Sequence, residues 1–197
     1  QGIIHRDIKP ENIFLTRSVT GDTHVKILDF GISKAIESGE HGPALSVTQT
    51  NTTVGTPHYM APEQARGETR AIDRRTDVYS LGATLYELLC GRRPFQGQDP
   101  TAVMLAVLEQ SPEPFAAAER RVPAPLQALT LKALSKLPDE RFQTAEEMHA
   151  ELMRTATDLG IGDTNGREAY ARAPAACRRR SRCAPRRRPC SISPAAR

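Results

Sequence analysis

His5-Arg6-Asp7-Ile8-Lys9-Pro10-Glu11-Asn12 is the stretch on which the reading of this 197-residue chain turns. Within eight positions it sets a carboxylate, an ammonium group and an amide on what its composition predicts to be a loop. Asp7 can accept a proton from a hydroxyl, Lys9 can lie against a phosphate, and Asn12 can offer a carbonyl oxygen to a hard cation. Phosphoryl transfer asks for these parts, because its loose transition state needs positioning and charge neutralisation more than covalent chemistry. Taken singly, each residue reads as a solvated loop charge. The spacing is what separates them from that reading.

Further on stands Val25-Lys26-Ile27-Leu28-Asp29-Phe30-Gly31. Val25, Ile27 and Leu28 predict a short buried strand that ends in an acid, an aromatic ring and a glycine. A carboxylate at such a strand end can reach into a cleft while the glycine lets the chain turn behind it. With these residues in place the sequence resembles the eukaryotic-type (Hanks-type) serine/threonine protein kinases, in their bacterial form. The catalytic-loop pattern H-R-D-x-K-x-x-N is intact at His5, Arg6, Asp7, Lys9 and Asn12. D-F-G stands at Asp29, Phe30 and Gly31, and A-P-E at Ala61, Pro62 and Glu63.

The resemblance implies roles residue by residue. Asp7 would be the catalytic base, with Lys9 touching the transferred phosphoryl group and Thr56 bridging the two. Asn12 and Asp29 would hold Mg2+ beside ATP, and Phe14, with Ile13 and Leu15, would floor the adenine site. Lysine two positions after Asp7 is the serine/threonine version of the loop, so the substrates would be Ser or Thr hydroxyls of proteins. His5, Phe30 and Gly31 would pack the site rather than react, Asp77 would brace the backbone at His5 and Arg6, and Arg141 would pair with Glu63.

Asp29 to Glu63 would then be the activation segment, and its middle, from Ser38 to Val54, is rich in Ser, Thr, Gly and Asn. Thr48, Thr50, Thr52 and Thr53 are candidate phosphorylation sites, with Thr48 and Thr50 resembling the doubly phosphorylated pair of bacterial kinases. A phosphothreonine adds a charge of about −1.5 to −2, which the guanidinium of Arg6 can grip bidentately. Autophosphorylation of this segment within a dimer is the partner relation that follows.

Apolar spacing predicts a mainly α-helical fold with a few short strands. Asp73 to Leu89 carries Val78, Leu81, Leu85, Leu88 and Leu89 at helical intervals, and Gly91 ends it. Shorter helices are expected over Pro100–Gln110 and Pro123–Lys136, followed by a turn at Pro138 to Phe142. Thr144 and Glu147 predict a capping box for a last helix reaching about Leu152. By the resemblance, residues 1–155 would be the large C-terminal lobe of a kinase. The glycine-rich G-x-G-x-x-G and the strand lysine of V-A-I-K, which belong to the small lobe, do not occur in these 197 residues. The expectation is therefore a lobe without its smaller partner. As encoded it would be either a partial enzyme or a non-catalytic binding module.

Charge is divided unevenly. Residues 1–166 hold 17 Lys and Arg against 22 Asp and Glu, whereas 167–197 hold 10 Arg against the single Glu168. The end, 160–197, is rich in Arg, Ala and Pro, cannot build a core, and is expected to be disordered. Out-of-frame translation of a GC-rich gene ranks first as its origin, ahead of a juxtamembrane-type basic linker or a patch for nucleic acid or anionic lipid. Cys177, Cys183 and Cys190 lack metal-ligand spacing, and Cys90 sits alone. No run of eighteen apolar residues occurs, so no transmembrane helix is expected within this stretch; a reducing cytoplasmic setting suits the ATP-consuming kinase that the resemblance implies, with any membrane anchor outside it.

Overall fold

The computed structural model describes residues 3–19, 22–29, 57–115 and 121–160, all within one unit, Gln1–Gly160. Phe30, Gly31, Thr48, Thr50, Thr52, Thr53 and Thr56 lie outside the described residues, as does 161–197. Among the described residues are two strands, β1 (Ile13–Arg17) and β2 (Thr23–Ile27), and five helices. The helices are α1 (Pro62–Ala65), α2 (Arg74–Cys90), α3 (Pro100–Glu109), α4 (Ala124–Ala133) and α5 (Ala145–Asp158). Single 3-10 turns stand at Pro10–Asn12, Pro57–Tyr59, Thr69–Ala71 and Pro138–Glu140. None of the described helices is long and apolar enough to cross a membrane.

The body is organised on α2. The Asp73 carboxylate accepts from the Arg75 amide at 2.8 Å and satisfies one of the donors that a helix start leaves open. At the other end Gly91 adopts φ 72°, a left-handed turn that suits a residue without a Cβ, and its N–H closes on the Glu87 carbonyl at 2.8 Å. Val78, Tyr79, Ala83 and Tyr86 are completely buried. On one side they join Phe95, Val107 and Phe115, with the Tyr86 and Phe115 rings 5.0 Å apart; on the other, Val78 packs with Leu129, Ala133, Phe142 and Met148. Gly82 lies against α4: a Cβ there would stand 2.7 Å from the Ala133 Cβ.

Two sequence expectations need correction here. The stripe expected on α2 is buried only in part: Val78 is fully covered and Leu81, Leu85 and Leu89 pack partly buried against the core, but Leu88 is 68% exposed. A periodicity argument supposes one buried face, whereas α2 is covered on several sides and buries small and hydroxyl residues. Of its hydroxyl groups, Ser80 donates to the Tyr59 carbonyl at 2.8 Å and Thr84 to the Ser80 carbonyl at 2.9 Å. The second correction concerns β2, which is exposed along its whole length, with Val25 62% and Ile27 41% exposed. Its apolar residues stay exposed among the described residues, so an apolar run does not make it a buried strand.

The last helix also differs. Thr144 accepts from the Glu147 amide at 3.0 Å, but the Glu147 carboxylate takes the Gln143 amide at 2.7 Å rather than that of Thr144, so only half the expected capping box forms. The helix continues to Asp158, six residues beyond its expected end, because Thr155 is buried and extends the packed face.

Candidate active site

The hairpin gathers the chemistry. β1 and β2 are antiparallel with Ile13 opposite Ile27, and the Leu28 amide donates to the Asn12 carbonyl at 2.9 Å. This register sets Asn12, just before β1, beside the chain that leads from β2 into Asp29. The Pro10–Asn12 turn brings Asn12 back to Asp7: its amide nitrogen donates to the Asp7 carbonyl oxygen at 2.8 Å and to the Asp7 carboxylate at 3.2 Å. Lys9 Nζ lies 2.8 Å from the same carboxylate oxygen. Asp7 therefore carries a cation and an amide donor on Oδ2. Asn12, with its nitrogen committed, keeps Oδ1 as the atom suited to a cation.

Backbone strain concentrates at this place. Among the described residues only Arg6 (φ 65°) and Asp29 (φ 57°) are non-glycines in the left-handed region. Such conformations persist where surrounding structure over-determines them. Asp77, in the first turn of α2, supplies part of that constraint: its two carboxylate oxygens accept from the His5 amide at 2.8 Å and the Arg6 amide at 2.9 Å. His5 is buried, and its ring accepts from the Asp7 amide through Nδ1 at 3.3 Å. That bond makes Nε2 the protonated nitrogen, which donates to the Leu28 carbonyl at 3.2 Å. The ring thus ties the loop to the end of β2.

Behind the loop lies a buried ion pair. Arg141 donates to both carboxylate oxygens of Glu63 at 2.9 Å from Nη1 and Nη2, which also reach the carbonyls of Arg75 and Lys136, while Nε reaches that of Ser135. Thr76 adds a hydroxyl to Glu63 at 2.8 Å, and the guanidinium stacks 4.9 Å from the Tyr79 ring centre. Burial pushes the Glu63 carboxyl up, but the Arg141 guanidinium more than offsets this and holds it below the usual carboxylate range. Lys136, bonded to the Val107 carbonyl and lying 4.0 Å from the Phe95 ring centre, is brought down to about 8 by burial and by the neighbouring Arg141 and Arg66 charges.

Comparison with known proteins agrees with this geometry. Residues 1–153 match the family described as protein kinase domain. The chain belongs to the protein kinase family. It is 48% identical to serine/threonine-protein kinase PknB of Mycolicibacterium smegmatis over 153 residues, 78% of this chain and 23% of that protein. PknB of Mycobacterium tuberculosis H37Rv is 47% identical over 154 residues, and a probable serine/threonine-protein kinase of Streptomyces coelicolor, SCO3848, is 41% identical over 170. The chain thus spans about a quarter of the length of these kinases.

Within the described part of the kinase domain, Asp7, Lys9 and Asn12 come together, Asp29 stands at the end of the paired strand, and Phe14 is 47% exposed on the hairpin. Arg6 is partly exposed. No group of three or more His, Cys, Asp or Glu side chains among the described residues could hold a metal ion. Asn12 and Asp29 offer only one amide and one carboxylate. That donor set fits Mg2+, which keeps several waters and takes phosphate oxygens beside one or two protein ligands.

Two residues escape sequence reasoning, Gln64 at this site and His58 in the helical body. Gln64 donates from its amide nitrogen to the Arg6 carbonyl at 2.9 Å. His58 is buried with Nδ1 3.0 Å from the Phe95 carbonyl; burial and the nearby Arg93 charge lower its pKa. Both stand within a few positions of A-P-E, the one local signal that could have drawn attention to them.

Proposed function

We propose that residues 1–155 form the large lobe of a serine/threonine protein kinase and carry its phosphoryl-transfer chemistry, with residues 160–197 as a separate basic tail. The observation that carries this reading is the convergence of Lys9 and Asn12 on the Asp7 carboxylate, on a backbone pinned by Asp77. Asp7 accepts the proton of a Ser or Thr hydroxyl as the hydroxyl oxygen forms a bond to the γ-phosphorus of ATP and the bond to the β-phosphate oxygen breaks, releasing ADP. Lys9 follows the transferred phosphoryl oxygens, and Thr56 holds Asp7 and Lys9 in register. Asn12 Oδ1 and Asp29 would hold Mg2+, which supplies charge neutralisation on the phosphates. Phe14 floors the adenine site. Phosphorylated Thr48 or Thr50 docks on Arg6 and orders the activation segment. Protein substrates bearing Ser or Thr and ATP are the partners, and the serine/threonine names of the relatives favour that specificity over tyrosine.

The test compares Mg·ATP binding and phosphorylation of Ser and Thr peptides by this chain, alone and joined to a kinase small lobe. Phosphotransfer by the joined form is expected, with Asp7→Asn slower by about 10²–10⁴-fold. Equal rates for Asp7→Asn and the parent would remove Asp7 from the role of base.

A further inference from the structure

Arg6 and Asp7 share one peptide, and that peptide is held from both sides. Its oxygen, the Arg6 carbonyl, accepts from Gln64 Nε2 at 2.9 Å, and its N–H, on Asp7, donates to His5 Nδ1 at 3.3 Å. A peptide unit is planar, so fixing its oxygen and its hydrogen fixes its rotation about the Cα–Cα axis. That rotation sets ψ of Arg6 and φ of Asp7, and with them the direction in which the Asp7 carboxylate leaves the chain. The constraint is needed here because Arg6 sits at φ 65°, where a residue with a Cβ does not rest unaided.

Gln64 is itself oriented. Its Oε1 accepts from the Ala61 amide at 3.1 Å, so one amide orientation alone satisfies both Ala61 and Arg6. The helix that carries it, α1, is anchored through the adjacent Glu63 to Arg141. We propose that Gln64 is a positioning residue that clamps the Arg6–Asp7 peptide and so aims the Asp7 carboxylate. The inference rests on the kinase reading above, since it concerns the aim of the base in that reaction. It also makes a second route from the helical body to the catalytic loop, independent of Asp77: the Asp77 carboxylate holds the N–H of Arg6, and Gln64 holds its carbonyl.

Gln64→Glu isolates the clamp. A glutamate keeps an oxygen for the Ala61 amide but has no donor for the Arg6 carbonyl. In the chain joined to a kinase small lobe, Gln64→Glu and Gln64→Ala should each lower kcat about tenfold or more, with KM for ATP within about twofold, because the lost aim acts on the chemical step. In the 197-residue chain alone, amide hydrogen exchange at Asp7 should accelerate about tenfold in Gln64→Glu while helix α2 keeps its protection. A Gln64→Glu variant with parental kcat and parental exchange at Asp7 would overturn the proposal. A global loss of protection in Gln64→Glu and Gln64→Ala alike would do the same, by making Gln64 a folding residue. Selective loss at Asp7 in a chain that never phosphorylates would sustain the clamp and sink the kinase reaction instead.

Discussion

The catalytic loop with its hairpin and the helical body around α2 are held by different forces. In the body, Val78, Tyr79, Ala83 and Tyr86 have no exposed surface, and even the charged pair Arg141–Glu63 is sealed inside. In the front region the loop buries Ile8, but Leu15 is 65% exposed and β2 is open along its length, so little apolar burial steadies it beyond that one side chain. What steadies it is a short set of directed polar bonds: Asp77 to His5 and Arg6, Gln64 to Arg6, and His5 to Leu28. Apolar burial is roughly proportional to area and carries no direction, whereas a hydrogen bond loses its strength when misaligned. The lesson is a division of labour, in which the body supplies stability and the polar bonds supply aim. Damage to one should be separable from damage to the other.

Three measurements press on the body side of that comparison, and the largest effect belongs to the buried pair. Arg141→Met should cost about 3–5 kcal/mol in urea unfolding of the chain, because Glu63 is left charged in the interior. Glu63→Leu combined with Arg141→Met should unfold less readily than the single variant, since no charge is then stranded. A double variant as unstable as the single one would show that the loss comes from packing instead. The same pair sets the acid limb. Glu63 has a folded pKa below its ordinary value of 4.5, so the unfolded chain binds its proton first as pH falls. Its contribution is therefore fully present above about pH 4.5 and declines as pH drops through the folded pKa. Replacing Glu63 by Gln should flatten stability against pH in that window.

Next in size is the close approach of α2 and α4. Gly82→Ala should cost about 1–3 kcal/mol, since the new methyl would meet the Ala133 Cβ at 2.7 Å. Adding Ala133→Gly should recover part of the loss; no recovery would place the strain elsewhere. The smallest effect is local. Thr144→Ala removes the acceptor for the Glu147 amide and should cost about 1 kcal/mol, read as a fall in thermal midpoint with phosphotransfer unchanged below the transition. A fall in turnover there would blur the line drawn between body and site.

The boundary between what was legible in the chain and what was not follows the range of the interactions. The end at Gly91 and the cap at Thr144 could be read directly, because such signals depend on residues two to four positions away. The set Asp7, Lys9 and Asn12 was legible for the same reason: one turn brings them together. Where the reading went astray, as with Leu88 and β2, it assigned burial from a pattern, and burial depends on what stands opposite.

Left to itself, the sequence specified the residue types of the site, their order, and the starts of most helices. Those features are short-range, and each is decided by the chemistry of near neighbours. Tertiary structure alone decided that Gln64 would reach Arg6 across 58 positions, and that β2 would stay exposed while α2 is buried on several sides. Such choices depend on how packed helices place their side chains in space, a property that no neighbouring residue encodes.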